Sequence, residues 1–400
     1  MNKNIILIGL DGGATKISGW TINVDPDTLS FTLGDTNIQK EYSIYEAYRA
    51  DFRAVDIKKQ LRGFNSGIVN STETEKVQAQ AYTQACIDVL KEIAAENPGR
   101  PVLAGLGMPG LKMSDQRGIA VLLNGPRIPD YCQTVESAII KLGIKLIVPF
   151  QRIGSDADYC GIGEEYSAAG SFRDVVSAYY LGGGTGTADA LKIDGELIPF
   201  DKTKDWLAKS WELQNDKGKS LERYASAGGI QSIYSDYSGI AVDDLNHAQI
   251  FPGQILERAI EGEQDAVETF RDISKYLAKL IFERMRTIFS GWKQDFSFMN
   301  PSREGLSRDH HFTGTLLDRI ILGQRLGVLL EASKSTTQLW QPLFDNLTDL
   351  VFLSAENQTF KDHYLRDGQF NPDLIINTAL REAPAIGAGI DAYLHYKGLI

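Results

Sequence analysis

Cysteine is nearly absent. The 400-residue chain has three, Cys86, Cys132 and Cys160, an odd number with no Cys-x-x-Cys spacing. That excludes a disulfide framework and a zinc knuckle of the usual kind, and it points to a reducing compartment. Long hydrophobic runs are missing too: none could span a bilayer, and the first apolar run meets Asp11 too soon for a signal peptide. Positive charge is in deficit, with 41 Lys and Arg against 52 Asp and Glu and a formal net charge of −11. Such a balance argues against nucleic acid or an anionic membrane as partner, and an anionic substrate would need a local positive site. Low-complexity tracts and solenoid-type repeats are absent. So are a Walker A loop and a Gly-x-Gly-x-x-Gly ahead of a helix; before Gly218-Lys219-Ser220, Leu213 stands where a Walker A loop needs its first Gly. The expectation is a soluble, cytoplasmic protein, long enough for two domains.

What is present begins at the loop Leu10-Asp11-Gly12-Gly13-Ala14-Thr15-Lys16. It lies between an apolar run, Ile5–Ile8, and a second strand-like run, Ile17–Val24, so it reads as a hairpin turn. Gly12 and Gly13 let backbone N–H groups approach a phosphate, Thr15 adds a hydroxyl and Lys16 a cation. Asp11 can hold a hydrated Mg²⁺. An ordinary Asp-Gly-Gly turn is the plainer alternative. A similar hairpin recurs between Val175–Leu181 and Ala188–Ile193, where the turn is Gly182-Gly183-Gly184-Thr185-Gly186-Thr187. A bare hairpin tip needs one or two glycines and this one has four. Two such hairpins, one per half, suggest a duplicated α/β architecture holding nucleotide phosphates from both sides, as phosphoryl transfer requires.

Between and after the hairpins the pattern alternates. Leu29–Leu33 reads as a third strand and residues 35–70 as a polar excursion. Thr72-Glu73-Thr74-Glu75 is a capping box for a helix carrying Val77, Ala81, Ala85, Val89 and Ile93 at i+4 spacing, ended by Pro98-Gly99. Val102–Gly107 reads as a strand, Tyr131–Leu142 as a helix and Ile144–Phe150 as a strand. Helices are expected near 220–235 and 265–290, strands at Arg319–Leu322 and Leu374–Asn377. The stretch 296–315 reads as an insertion whose His310-His311 pair belongs to a solvated loop, with metal binding as the alternative.

These segments resemble, in order, the motifs of the ROK family (repressors, open reading frames and sugar kinases) within the actin-like ATPase superfamily. The matching segments are Asp11–Lys16; Gly107-Met108-Pro109-Gly110 with Arg117-Gly118 and Asn124; Ser155-Asp156-Ala157-Asp158 with Gly163-Glu164; Leu181–Thr187; Leu221–Ala227; and Ala383-Pro384-Ala385-Ile386-Gly387-Ala388. The resemblance implies two ribonuclease H-like α/β domains around a cleft. The first would be residues 1–150, completed by a helix in 380–400, and the second 151–379. It implies an ATP-dependent sugar kinase, for a hexose or amino sugar, acting as a homodimer with ATP and Mg²⁺.

The resemblance puts the general base at Asp156, which also follows an apolar strand and precedes a helix, a place where ligands bind in open α/β sheets. A plain helix N-cap at Ser155 or Asp156 is the alternative. On the sugar side it implies Gly107, Pro109, Gly110, Asn124, Ser155, Asp156 and Glu222, with Glu212 in place of a family Glu. Asn124 could equally serve a turn with Gly125-Pro126. On the nucleotide side it implies Asp11, Gly12, Gly13, Thr15, Lys16, Gly182, Gly183, Gly184, Thr185 and Gly186. It adds Gly323 in Ile320–Gly327, where Gln324 replaces a common second Gly. The family's zinc-site His and cysteines are missing, so no structural zinc is expected, and Ser155 and Asp158 stand where Asn is usual. Trp211 reads as a core residue, or as a platform for a sugar face. With only ten residues before Asp11, a DNA-binding regulator is not expected; a non-catalytic sugar sensor is the competing reading, and a chaperone-like ATPase a more distant one.

Overall fold

The computed structural model describes residues 5–400. They divide into two compact units: the chain up to Gly170 together with Glu382–Ile400, and Ser171–Arg381. No helix among the described residues is long and apolar enough to cross a membrane.

The first unit is built on β1 (Ile6–Gly12), β2 (Lys16–Asp25), β3 (Ser30–Glu41), β4 (Val102–Gly107) and β5 (Ile153–Gly154), in the order β3-β2-β1-β4-β5. The first three form an antiparallel meander, and β4 and β5 continue parallel to β1. Its helices are α1 (Ile57–Asn65), α2 (Glu73–Ala95), α3 (Tyr131–Lys141), α4 (Asp156–Tyr166) and the C-terminal helix Ala383–Lys397. The capping box at α2 forms: Thr72 Oγ1 accepts the Glu75 N–H at 3.2 Å, and the Glu75 carboxylate accepts the Thr72 N–H at 2.8 Å. Buried Val89 and Ile93 lie over Gly19 of β2, where a Cβ would stand 2.4 Å from Val89. On the opposite face the C-terminal helix meets the sheet backbone to backbone. A Cβ on Gly9 would sit 1.8 Å from the Ala385 carbonyl, and one on Gly105 1.8 Å from that of Ala388.

Three expectations need correction here. Residues 144–150 form no strand; Leu146 makes one isolated bridge to Val102, and the partner of β4 is Ile153–Gly154. Pro149 has no N–H to give to a ladder. The polar stretch after residue 35 is not all excursion: β3 runs to Glu41, paired with Lys16, before a 3₁₀ turn and α1. Its polarity is that of an edge strand. The compact unit also runs to Gly170 rather than 150, because β5 extends its sheet and α4 packs on the C-terminal helix.

The second unit repeats the plan with β6 (Ala178–Gly183), β7 (Thr187–Ile193), β8 (Glu196–Ile198), β9 (Arg319–Gly323) and β10 (Ile375–Asn377), in the order β8-β7-β6-β9-β10. Again three antiparallel strands are followed by two parallel ones. Around them lie α5 (Ala227–Ser238), α6 (Gln264–Ser290), α7 (Gln324–Ser333) and α8 (Trp340–Leu353). Both units are therefore ribonuclease H-like. Within 296–315, His310 is not solvated as expected: its ring stacks on buried Trp206 at 4.1 Å and its Nε2 donates to the Thr287 carbonyl at 2.8 Å. His311 is exposed.

Candidate functional site

In the first unit, sheet register sets the site. Asp11 on β1 pairs with Gly107 on β4, and Gly107 with Gly154 on β5. All three lie at the carboxyl ends of parallel strands, where open α/β sheets bind ligands. One row thus gathers Asp11, the Gly107–Gly110 loop and, two residues past Gly154, Asp156. The cap is Ser155, whose Oγ accepts the Asp158 N–H at 3.1 Å. Asp156 is the first helical residue; its Oδ1 accepts the Ala157 N–H at 3.0 Å, and it is partly exposed. Burial, then the charges of Asp156 and Glu382, push the Asp11 carboxyl up to about 7, and Lys16 only partly offsets them. Glu382, just ahead of the C-terminal helix, escaped the sequence reading; it carries no motif signal beyond standing next to Ala383-Pro384.

Tyr159 supports this row from behind. Its ring fills the space that Gly107 and Gly154 leave open: a Cβ on Gly154 would lie 2.2 Å from it, and one on Gly107 3.0 Å. A Cβ on Gly387 would lie 1.9 Å from the Tyr159 carbonyl oxygen. The Tyr159 hydroxyl accepts the Gly154 N–H at 3.1 Å and donates to Asp391 at 3.2 Å, and Arg152 grips the same carboxylate at 2.6 and 3.0 Å. Three separate glycine motifs thus converge on one tyrosine.

The loop after β4 is fastened by Lys112, whose ammonium donates to the carbonyls of Met108, Pro109 and Gly110 at 2.5, 3.2 and 2.8 Å. Asn124 is exposed on the next turn. That turn is held by buried Gln60 of α1, which gives to the Leu122 carbonyl at 3.0 Å and takes its N–H at 2.9 Å. Gln60 falls in the stretch read from sequence as irregular.

In the second unit the glycine-rich turn joins β6 to β7. Its backbone is held on several sides. The Gly184 N–H donates to the Gly186 carbonyl at 2.9 Å, and the Gly184 carbonyl accepts from Ala227 at the start of α5 at 2.9 Å. The Glu222 carboxylate accepts the Thr187 N–H at 2.9 Å. Glu222, expected at the sugar, is thus engaged with this turn. Gly182 pairs with Gly323 across β6 and β9, and Tyr180 fills the space beside both, with its hydroxyl 2.7 and 2.4 Å from where their Cβ atoms would be. Gln324 has φ +56°, a left-handed conformation that favours glycine. Glu212 accepts the Lys209 N–H at 2.8 Å and pairs with Arg303 at 2.7 Å. Trp211 is not the core residue expected; it is 49% exposed, and Trp206 takes the buried place.

The donor set of the first hairpin suits a hard cation. Among the described residues no three His, Cys, Asp or Glu side chains form a direct metal cage. Mg²⁺ keeps most of its waters and takes one or two carboxylates, and Asp11 among acidic neighbours offers that.

No family model matches the sequence, and no curated protein does. Solved structures do match. A ROK family glucokinase from Streptomyces griseus, solved with glucose and AMPPNP, has a TM-score of 0.54 at 13% identity, over 96% of this chain and 98% of that one. The ROK hexokinase from Thermus thermophilus gives 0.52 at 16%, over 98% and 99%. This is the ROK fold. A ROK family transcriptional regulator, a homologue of the E. coli MLC protein, shares it with a TM-score of 0.54 at 12% identity, over 100% of this chain and 80% of that one.

Proposed function

We propose that the protein is an ATP-dependent sugar kinase that phosphorylates a hexose or amino sugar, with Asp156 as general base. The observation that carries this reading is the register row Asp11–Gly107–Gly154, which puts two site carboxylates and the loop of Gly107, Pro109 and Gly110 at one edge of one sheet. A sugar hydroxyl needs its proton accepted and its oxygen aligned, and Asp156 at the head of α4 can do both. Asn124 and Ser155 are assigned to sugar hydroxyls. Gly12, Gly13, Thr15 and Lys16 are assigned to phosphate, as are Gly182, Gly183, Gly184, Thr185 and Gly186. Gly323 is assigned to the adenosine side. Asp11 would hold a hydrated Mg²⁺, which when bound neutralises charge on the phosphoryl oxygens. We leave Glu212 and Glu222 out of the sugar contacts, because Arg303 and the Thr187 N–H engage them.

A sensor that binds sugar without turning over ATP is the second reading, favoured by the regulator that shares the fold. ADP release measured from Mg-ATP against hexoses, N-acetylhexosamines and ketoses separates the two. Release stimulated by one sugar supports the kinase; sugar binding without turnover supports the sensor; release independent of any sugar contradicts both.

A further inference from the structure

Behind the glycine-rich turn of the second unit lies a buried polar network. Asp189 on β7 is 4% exposed, Ser210 and Tyr179 are fully buried, and Arg284 of α6 is at 0%. Buried charges persist when paired and hydrogen-bonded, and Asp189 is: its Oδ1 accepts the Tyr179 hydroxyl at 2.5 Å and faces Arg284 at 3.4 Å. Its Oδ2 accepts both the N–H and the hydroxyl of Ser210, at 3.1 and 2.7 Å. Arg284 in turn pairs with Glu283 at 2.6 Å, and Glu283 accepts the Thr287 hydroxyl at 2.7 Å.

The donor arithmetic fixes a direction. A hydroxyl has one hydrogen, and that of Ser210 is committed to Asp189, which as a carboxylate only accepts. The Thr187 hydroxyl has two acceptors in reach, Ser210 at 2.7 Å and Glu222 at 3.4 Å; with the Ser210 hydrogen spent, the short contact is made by Thr187 donating to Ser210. The chain runs one way, from Thr187 through Ser210 to Asp189, and ends at a carboxylate held by Arg284. Thr187 is the last residue of the turn. Its N–H is taken by Glu222 from one side and its hydroxyl is drawn inward from the other. With that hydrogen spent, Thr187 acts as a strut.

We propose that Asp189, through Ser210 and Thr187, is a positioning residue that holds the glycine-rich turn in the conformation that receives nucleotide phosphate, with Arg284 as its buried counter-charge. The inference rests on the nucleotide reading above. Asp189→Asn inverts the chain. The Tyr179 and Arg284 donors keep the amide oxygen, so the NH₂ faces Ser210, where it opposes the Ser210 N–H and forces its hydroxyl round. Thr187 then loses its short acceptor and keeps only the long contact to Glu222 at 3.4 Å.

The test is titration of wild type, Asp189→Asn, Thr187→Val and Thr187→Ser with Mg-ADP, each alongside a thermal melt. Wild type binds ADP, Thr187→Val and Asp189→Asn bind about fivefold to tenfold more weakly, near the worth of one hydrogen bond, and Thr187→Ser stays within about twofold. Thr187 carries no buried charge, so its pair of variants keeps the test open should Asp189→Asn not fold. Unchanged ADP affinity in Thr187→Val and Asp189→Asn, with or without a lowered Tm, overturns the inference alone. So does equal loss in Thr187→Ser, which keeps the hydroxyl. Failure of wild type to bind ADP overturns the nucleotide reading and the inference with it.

Discussion

The two glycine hairpins occupy equivalent places in two sheets of the same strand order, yet they differ at the tip and at the entry. The second is satisfied. Its Gly184 carbonyl, Thr187 N–H and Thr187 hydroxyl all have protein partners, and a Cβ on Gly183 would collide with the Ala225 carbonyl at 1.9 Å. The first is also braced, with the Gly13 N–H on the Lys16 carbonyl at 2.9 Å, the Tyr42 N–H on the Thr15 carbonyl at 2.9 Å and the Tyr82 hydroxyl on the Ala14 carbonyl at 3.0 Å. It differs in an open tip, where a Cβ on Gly13 would meet only the Lys16 carbonyl at 3.8 Å, and in Asp11 at its entry, crowded by Asp156 and Glu382. Both turns are braced by hydrogen bonds; what sets the first apart is the acidic crowding at its entry, which raises the Asp11 carboxyl.

The comparison can be broken at the tyrosines that support each row. Tyr159→Ala empties the space under Gly107 and Gly154 and should destabilise the fold by about 3–5 kcal/mol, as other buried aromatic truncations do. Tyr159→Phe keeps the ring and loses two hydrogen bonds, for about 1–3 kcal/mol. Urea unfolding measures both, and equal losses would mean that the hydroxyl alone matters.

Gly183→Ala against Gly13→Ala sharpens the contrast. The first forces backbone to move and should cost about 1–3 kcal/mol; the second should stay within about 0.5 kcal/mol. Matching losses would remove the difference between the turns.

The smallest effect concerns charge. The folded pKa of Asp11 is raised to about 7 from 3.8, so the folded chain binds this proton more tightly than the unfolded one. Its contribution is most favourable at low pH and is lost progressively as pH rises from about 4 through 7. Asp11→Asn, free of Mg²⁺ and nucleotide, should therefore raise Tm by about 2–4 °C at pH 8, the gain shrinking toward pH 4. A gain that is constant with pH, or a loss at pH 8, would contradict the crowding.

Sequence carried the hairpins, the capping box of α2 and both sheets well, because glycine turns and apolar periodicity are local signals. It lost the pairing of β5, a two-residue strand too short to show a pattern, and the length of β3, whose polar edge looks like a loop. It named Asp11 and Asp156 but not Glu382, since proximity across some 370 positions leaves no local trace. It named Gly107 and Gly387 without seeing that both, with Gly154, clear space for Tyr159. The Asp189 network was invisible for the same reason: Thr187 and Asp189 share β7, but Ser210 comes from a separate 3₁₀ turn and Arg284 from α6, and they meet only in the fold.

The central claim is that Asp156 accepts the sugar proton during phosphoryl transfer. The most direct measurement compares sugar-stimulated ADP release and Mg-ADP affinity in wild type and Asp156→Asn. Turnover reduced by about 10²–10⁴, with affinity for ADP within about twofold, is the result expected. Near-normal turnover in Asp156→Asn would contradict it.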